Sequence, residues 1–479
     1  MLKMSRFGGL IEELASAANL GELTRSSTVW LAVTGLSRAG KTVFITSLIH
    51  NLLSAVHNPN RMPLLKVVGE GRMRSARLET VKADLLPRFP YRANIESMSE
   101  VPSRWPERTT DISEIGIEIR YQPAGLLGQM LARIGGDTAT LTLRIVDYPG
   151  EWLLDLPLLD MSYVEWSRAM LKVWRQGLRA EIARDFLGRL SAHPHTADAS
   201  EQTARELHDL YRGMLLEARD KHGLSYLQPG RFVCPGSLGE VPYLWFAPLD
   251  LPDELVRLKS GTLGALMAER FEVYKREVVE TFYRDYFRQY GRQVVLVDVL
   301  GALLAGRDAF EDTRLAIAAI LESFRYGQRS ILSRLIGRTS IERLLFAATK
   351  ADHIPDLQRD HLSALLRNMA ALPAIEVRGR NADIDVTAIA SVASTVEGTQ
   401  DIDGKRVQVV IGREVGREKQ AKFFAGQIPI RPPRPADWGN PFLNIPRFEP
   451  PAIDAAPVDG IPHINLDLAL DFLIGDRLR

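Results

Sequence analysis

Gly35-Leu36-Ser37-Arg38-Ala39-Gly40-Lys41-Thr42 follows a short apolar run, Val29 to Val33, and precedes a segment in which Phe44, Leu48 and Leu52 recur four apart. A buried strand, a glycine-containing turn and an amphipathic helix, in that order, predict a phosphate-binding loop of the form G-x-x-x-x-G-K-[ST]. The glycines let successive backbone N–H groups curl around an anion. The helix that starts at the lysine aims the positive end of its dipole at the same point. Ser37, Arg38, Ala39, Gly40, Lys41, Thr42 and Val43 are therefore candidate phosphate-binding residues. Lys41 is expected to reach the β- and γ-phosphates, and Thr42 to ligate Mg²⁺.

Two further motifs sit after strand-like runs downstream. Asp147-Tyr148-Pro149-Gly150 ends the run Thr140 to Val146. Asp147 is expected to hold Mg²⁺ through water, and the Gly150 amide to sense the γ-phosphate and order the segment that follows. A plain turn after a strand is the competing reading. Thr349-Lys350-Ala351-Asp352 follows the run Leu344 to Ala348. A carboxylate here accepts hydrogen bonds from N1 and N2 of guanine, a donor pair that adenine lacks, while the Lys350 stem lies along the base plane. The competing role for Asp352 is to cap a helix.

Composition frames these motifs. The 479 residues carry 60 Lys and Arg against 59 Asp and Glu, so the charge balance argues against a nucleic-acid partner held by a broad basic surface. The single cysteine, Cys234, excludes an intramolecular disulfide and a four-cysteine zinc site, and fits a reducing, cytoplasmic setting. No secretory signal is read near Met1, and no apolar run is long enough to span a membrane.

Strand signals alternate with helical ones over 27–150 and again over 291–400, which predicts an α/β nucleotide domain with a doubly wound, mostly parallel sheet. Residues 1–26 read as a leading helix. Between 151 and 290 strand signals become scarce and a mainly helical insertion is expected. It includes an amphipathic helix through Phe271, Tyr274, Val278, Phe282 and Tyr286, whose stripe reads as core. A helix is expected near 70–86. Residues 401–479 read as an extension. Ten of the 27 prolines fall in 429–462, so that part is expected to run extended, and Leu466 to Leu478 to form a closing helix.

The fuller pattern adds Trp105-Pro106-Glu107-Arg108-Thr109, the run Asp147 to Asp155 (DYPGEWLLD), Ala347 to Asp352 and Pro462-His463-Ile464. The order of motifs resembles the Ras-like, TRAFAC-type GTPases. The whole set is similar to the YcjX family of bacterial stress-associated proteins, over nearly the whole chain. That resemblance implies a Ras-like P-loop GTPase, though the family is often labelled ATPase, with GTP or GDP and Mg²⁺ as cofactors. It also implies a stress role and a membrane-protein partner, while attachment at the periphery of the inner membrane stays open beside the cytoplasmic setting.

The resemblance also distributes roles. Thr109, with Thr110 as the competing assignment, becomes the switch I threonine that reaches Mg²⁺ and the γ-phosphate. Ser391 and Val392 would bring amides to guanine O6, although the sequence there departs from the usual Ser-Ala-Lys. Glu151 stands where Ras-type enzymes carry a glutamine that orients the attacking water. A carboxylate there repels the phosphate, so slow hydrolysis is expected. Arg38, Arg104 and Arg108 are candidates for an arginine finger in cis, each with a structural alternative. Three further features are read as bland: Asp298-Val299-Leu300-Gly301 as structural, His193-Pro194-His195 as a solvent loop, and the aromatic run to Tyr290 as core. The closing helix is the one segment with a membrane-seeking pattern.

Overall fold

Successive residues of the first strand, β1 (Ser27–Gly35), feed two different apolar clusters, Leu31 and Val33 one and Ala32 the other. A strand buried on both faces belongs at the centre of a sheet covered by helices on each side. The computed structural model, which describes residues 27–79, 86–107, 111–125, 138–255, 257–329, 341–377, 383–402, 404–439 and 443–479, has that arrangement. The leading helix expected over 1–26 lies outside the described residues.

The seven-stranded sheet runs β2-β3-β4-β1-β5-β6-β7, with β2 Met73–Leu78, β3 Ser113–Tyr121, β4 Ala139–Asp147, β5 Arg292–Val297, β6 Arg343–Ala348 and β7 Asp383–Ala388. From β4 to β7 all neighbours are parallel, whereas β2 and β3 form an antiparallel edge. The chain leaves β1 toward the β4 side and returns to its other side with β5. That reversal opens a crevice beyond the carboxyl end of β1. Helix α1 (Lys41–Ser54) covers one face together with the closing helix, while the insertion and two later helices cover the other.

Between 151 and 291 no strand occurs among the described residues. A 3₁₀ segment, Gly150–Asp160, leads to α2 (Tyr163–Trp174), which a Ser162/Glu165 capping box starts, and to α3 (Glu201–Asp220) and α4 (Leu263–Tyr274). Phe271, Tyr274, Val278 and Phe282 are buried, as the stripe implied, but a π-helical stretch at Lys275–Glu280 interrupts the single helix expected there. Beyond β5, α5 (Arg307–Arg329) and α6 (Arg359–Val377) pack on the insertion side.

One expectation fails. Residues 73–78 are strand β2, not helix. The segment's charges make cross-strand partners instead of a solvated helix face: Arg77 pairs with Glu118, and Glu79 receives Arg144 at 3.0 Å. A three-stranded antiparallel sheet, β8 (Thr395–Ile402), β9 (Lys405–Arg413) and β10 (Gln420–Phe423), straddles the expected boundary between 400 and 401 and adds structure that no motif announces. The alternation of Val407, Val409 and Ile411 is the signal that could have found β9.

The closing helix α7 (Leu466–Ile474) buries Leu466, Ala469, Leu470, Leu473 and Ile474 in the apolar layer that also holds α1, packed on β6 and β5. Its apolar face is taken, which removes the basis for a membrane-seeking role. No helix among the described residues is long and apolar enough to cross a membrane. The segment before α7 is stitched to the nucleotide half: the Ile461 N–H donates to Asn51 Oδ1 at 2.8 Å, and Ala390 and Ile464 exchange two backbone bonds.

Candidate nucleotide site

The loop after β1 is shaped by contacts that admit no Cβ. At Gly35 a Cβ would lie 2.7 Å from the Leu296 carbonyl oxygen. Gly150 is tighter still, since a Cβ there would lie 2.4 Å from the Gly35 carbonyl oxygen. The glycines of the first two motifs are thus packed backbone to backbone. Arg38 and Gly40 take the left-handed conformation, at φ 66° and 82°, and α1 starts from Gly40 with no side-chain cap. This is the local geometry that turns a strand back over a helix N-terminus. Ser37 sits half-buried at the tip, Ala39 closes a turn on Leu36 at 3.1 Å, and Val43 packs partly against the core below. Lys41 and Thr42 open the helix, facing the crevice end of the sheet.

Asp147 ends β4 in register with Val33 on one side and Ser113 on the other, and is 1% exposed. The donor set of a Thr42 hydroxyl and an Asp147 carboxylate consists of hard oxygens only. Mg²⁺ favours that chemistry, taking one or two protein oxygens and filling its octahedron with phosphate oxygens and water. Among the described residues no group of three His, Cys, Asp or Glu is arranged to hold a metal alone. The residues fit a cation that arrives with a phosphate chain. Arg108, Thr109 and Thr110 lie outside the described residues.

At the other end of the same sheet edge, β6 delivers Thr349-Lys350-Ala351-Asp352. Thr349 is buried and its N–H donates to Val297 at 3.0 Å, while Lys350 turns the chain through φ 63°. Asp352 is 4% exposed, and its Oδ2 accepts from the Ser394 N–H at 2.9 Å and the Ser394 hydroxyl at 2.6 Å. The carboxylate is held by the loop after β7, so the helix-capping alternative does not describe it. The Lys350 ammonium donates to Asp298 Oδ2, and Asp298 Oδ1 accepts from the Gly301 N–H at 2.8 Å. Asp298-Val299-Leu300-Gly301 is indeed a helix cap, and it also steers Lys350.

Ser391 accepts through its carbonyl from the Ser47 hydroxyl on α1, Val392 is buried, and the Ala393 N–H donates to Pro462 at 2.7 Å. Ser394 is thus a partner of Asp352 that motif spacing missed, while Pro462, which belongs to a quoted motif, holds the loop after β7. His353 sets its ring edge-on to Phe448 at 4.9 Å, and the Phe448 carbonyl accepts from Trp105 Nε1 at 2.9 Å. Burial pulls the His353 imidazole below its ordinary value.

The insertion closes over the phosphate end. Arg38 donates to the Asp220 carbonyl at the end of α3 at 2.9 Å. Arg104 lies 69% exposed and pairs with Glu100. Glu151 is 5% exposed, and a Cβ on Gly230 would lie 1.9 Å from its carbonyl oxygen. Trp152 Nε1 donates to the Cys234 carbonyl at 2.8 Å, and the Arg231 guanidinium stacks 3.2 Å over the Trp152 ring. Asp155 ties the segment down: it accepts from the N–H groups of Gly230 at 2.7 Å and Arg231 at 3.3 Å and from the Tyr274 hydroxyl at 2.6 Å. Complete burial lifts its carboxyl to about 6, against those three bonds, which favour the ionised form. Burial likewise pushes the Cys234 thiol up to about 12, so it is no nucleophile.

A family model described as YcjX-like family, DUF463, matches residues 29–478. The chain belongs to the YcjX-like family. It is 36% identical over 455 residues to the Ras-like GTPase YcjX of Escherichia coli (strain K12), covering 94% of this chain and 96% of that one. The Ras-like GTPase YcjX of Shewanella oneidensis is also 36% identical, over 467 residues and 94% of each chain. The mostly parallel central sheet flanked by helices is the P-loop NTPase fold expected of a YcjX-like chain.

Proposed function

We propose that this YcjX-like chain binds guanine nucleotide with Mg²⁺, hydrolyses GTP slowly and switches conformation with the state of the nucleotide. The observation that carries the reading is the backbone contact between Gly150 and Gly35, with Asp352 oriented by Ser394 on the same sheet edge. The first couples the phosphate loop to the segment after β4. The second supplies a carboxylate pre-aimed for a base with two adjacent donors. The names of the two relatives, each a Ras-like GTPase, support the same conclusion.

In this mechanism the loop amides and Lys41 hold the β- and γ-phosphates. Thr42 and Asp147 would hold Mg²⁺, which would supply neutralisation of phosphate charge. Loss of the γ-phosphate withdraws the Gly150 contact and frees the 3₁₀ segment behind it. Glu151, in place of a neutral amide, keeps turnover low. We divide the chain into a nucleotide domain of 27–150 and 291–400, a helical insertion of 151–290 and an extension of 401–479. A stress role and a membrane-protein partner rest on the family resemblance alone.

The test is competition against fluorescent GDP by GTP, ATP and XTP, for the wild type and Asp352→Asn, followed by a hydrolysis assay. Strong competition by GTP, weak competition by ATP and a shift to XTP in the variant support the reading. Equal competition by ATP, unchanged by the variant, overturns it in favour of an ATPase. The buried Glu151 favours one second reading, a nucleotide-bound scaffold. Guanine-specific binding with turnover at background would establish it.

A further inference from the structure

Two aromatic side chains frame the segment that meets the phosphate loop. Tyr148 precedes it and is fixed to the sheet: its N–H donates to the Val33 carbonyl at 3.4 Å, and its hydroxyl donates to Gln293 Oε1 on β5 at 3.3 Å. Trp152 follows it and is fixed to the insertion through Cys234 and Arg231. Between them runs Pro149-Gly150-Glu151, whose glycine packs on the Gly35 carbonyl.

One ring touches both. Phe282 is 3% exposed and lies 5.3 Å from Tyr148 at an interplanar angle of 63°, and 5.5 Å from Trp152 at 86°. Both are edge-to-face contacts, in which a positive ring edge meets a negative ring face. Tyr290 also stacks on Tyr148, at 6.4 Å, but among the described residues only Phe282 makes ring contact with both Tyr148 and Trp152.

The backbone of the insertion is adjusted to put that ring there. On an unbroken α-helix the spacing from Tyr274 to Phe282 would turn the two side chains about 80° apart. The π-helical stretch Lys275–Glu280 between them takes up about one residue, which brings them to within about 20°. Both therefore face the same segment: Tyr274 through its hydroxyl to Asp155 at 2.6 Å, and Phe282 through its ring to Trp152. Lys275, at the first position of the stretch, donates to the Met161 carbonyl at 2.9 Å. Such stretches are rare and recur at functional sites.

We propose that Phe282 is a positioning residue: the helical insertion sets its ring as a staple across Pro149-Gly150-Glu151, so that the Gly150 amide keeps the geometry the γ-phosphate requires. The inference rests on the reading of the site as one that hydrolyses GTP. It ties turnover to the insertion through a side chain that does not touch the nucleotide.

The test compares Phe282→Ala, Phe282→Met and Phe186→Ala in the full chain. Phe186 is as deeply buried in the insertion, where its ring meets Tyr211 at 5.1 Å, and it serves as the control for emptying a core position. Three readouts are taken: amide hydrogen exchange over 150–158 without nucleotide, GDP affinity, and single-turnover hydrolysis at saturating Mg²⁺ and GTP. Phe282→Ala is expected to speed exchange over 150–158 about tenfold relative to Phe186→Ala. The rate should fall about tenfold or more with GDP affinity held within about twofold, the split that misplacement gives and lost binding does not. Phe282→Met, which refills the space and offers its sulfur to the two rings, should recover most of both. A rate no lower in Phe282→Ala than in Phe186→Ala, or exchange that is no faster, would mean that Phe282 only fills the core, and would overturn the proposal. If Phe282→Ala does not fold, Phe282→Leu, which keeps the bulk and loses the ring edge, takes its place under the same criteria. If the wild type does not turn over GTP, the hydrolytic reading fails on its own, and the exchange comparison still decides whether Phe282 staples the segment.

Discussion

The two ends of the nucleotide crevice are built from different materials. The phosphate end is made of backbone: Gly35 and Gly150 meet with no room for a methyl group, and the loop takes left-handed turns at Arg38 and Gly40. The base end is made of side chains: Asp352 is fixed by Ser394, Lys350 by Asp298, and His353 by Phe448. Phosphates are common to every nucleotide, so main-chain amides suffice to hold them. A base must be distinguished by its pattern of donors and acceptors, which only particular side chains can match. Damage at the first end should therefore fall on all nucleotides alike, and damage at the second should change which one is preferred.

The harshest test of that contrast is Gly150→Ala. The new Cβ would meet the Gly35 carbonyl oxygen at 2.4 Å. Hydrolysis is expected to fall by about 100-fold or more, on the scale of losing an aligned transition-state donor, with the order of GTP over ATP unchanged. Next comes Asp155→Ala, which strands two N–H groups and the Tyr274 hydroxyl in a dry interior. A loss of about 3 kcal/mol in urea unfolding is expected, again without a change of base preference. Asp352→Asn should leave the fold intact and move preference from GTP to XTP by about 100-fold in competition with fluorescent GDP. Ser394→Ala removes one of two bonds that aim the same carboxylate. GDP affinity should weaken about tenfold, equal to about 1.4 kcal/mol, while ATP competes no better. If Gly150→Ala altered base preference, or Asp352→Asn weakened all nucleotides equally, the contrast would be wrong.

The smallest effect is in the pH dependence of stability. Burial holds the His50 and His208 imidazoles down at about 4. Below pH 6.5 the unfolded chain takes up these protons and the folded chain does not, so stability is lost as pH falls from about 6.5 toward 4. Asp155 works the other way. Its carboxyl titrates at about 6 when folded, so between about 6 and 4 the folded chain gains a proton that the unfolded chain lacks, and stability is regained. These three groups together give a slope of about 1 kcal/mol per pH unit across that interval, to which the lowered His353 adds in the same direction, and the slope should be steeper in Asp155→Asn, as thermal melts from pH 7 to 4 will read.

Legibility in the sequence followed the same division. The two glycine turns could be read because the close backbone approaches at Gly35 and Gly150 leave no room for a side chain, and the central strands because they are short apolar runs. Asp352 could be read because its motif follows a strand directly. Ser394 could not: the bond to Asp352 spans 42 positions and depends on β7 lying beside β6. Asp155 was visible in the run DYPGEWLLD, but its partners Gly230 and Tyr274 belong to an insertion without any motif. Strand β2 was misread because an edge strand can carry charges at spacings that also suit a helix, and only its pairing with Glu118 and Arg144 resolves them. The β8–β10 sheet escaped because most of β8 faces solvent and shows little alternation.

The hydrogen bond from Ile461 to Asn51 joins positions 410 residues apart. Arg292 at the start of β5 donates to Asp476, and Tyr121 donates to the carbonyl of Arg477. During synthesis, therefore, the phosphate-loop helix and the central strands wait for a segment made long after them, and close over their core only when it arrives. Such distant pairings are slow to find. Until they form, the face of β5 and β6 on which the closing helix packs is bare, so a ribosome-bound chain shorter than about 460 residues presents an uncovered apolar surface, the kind of nascent intermediate that chaperones hold.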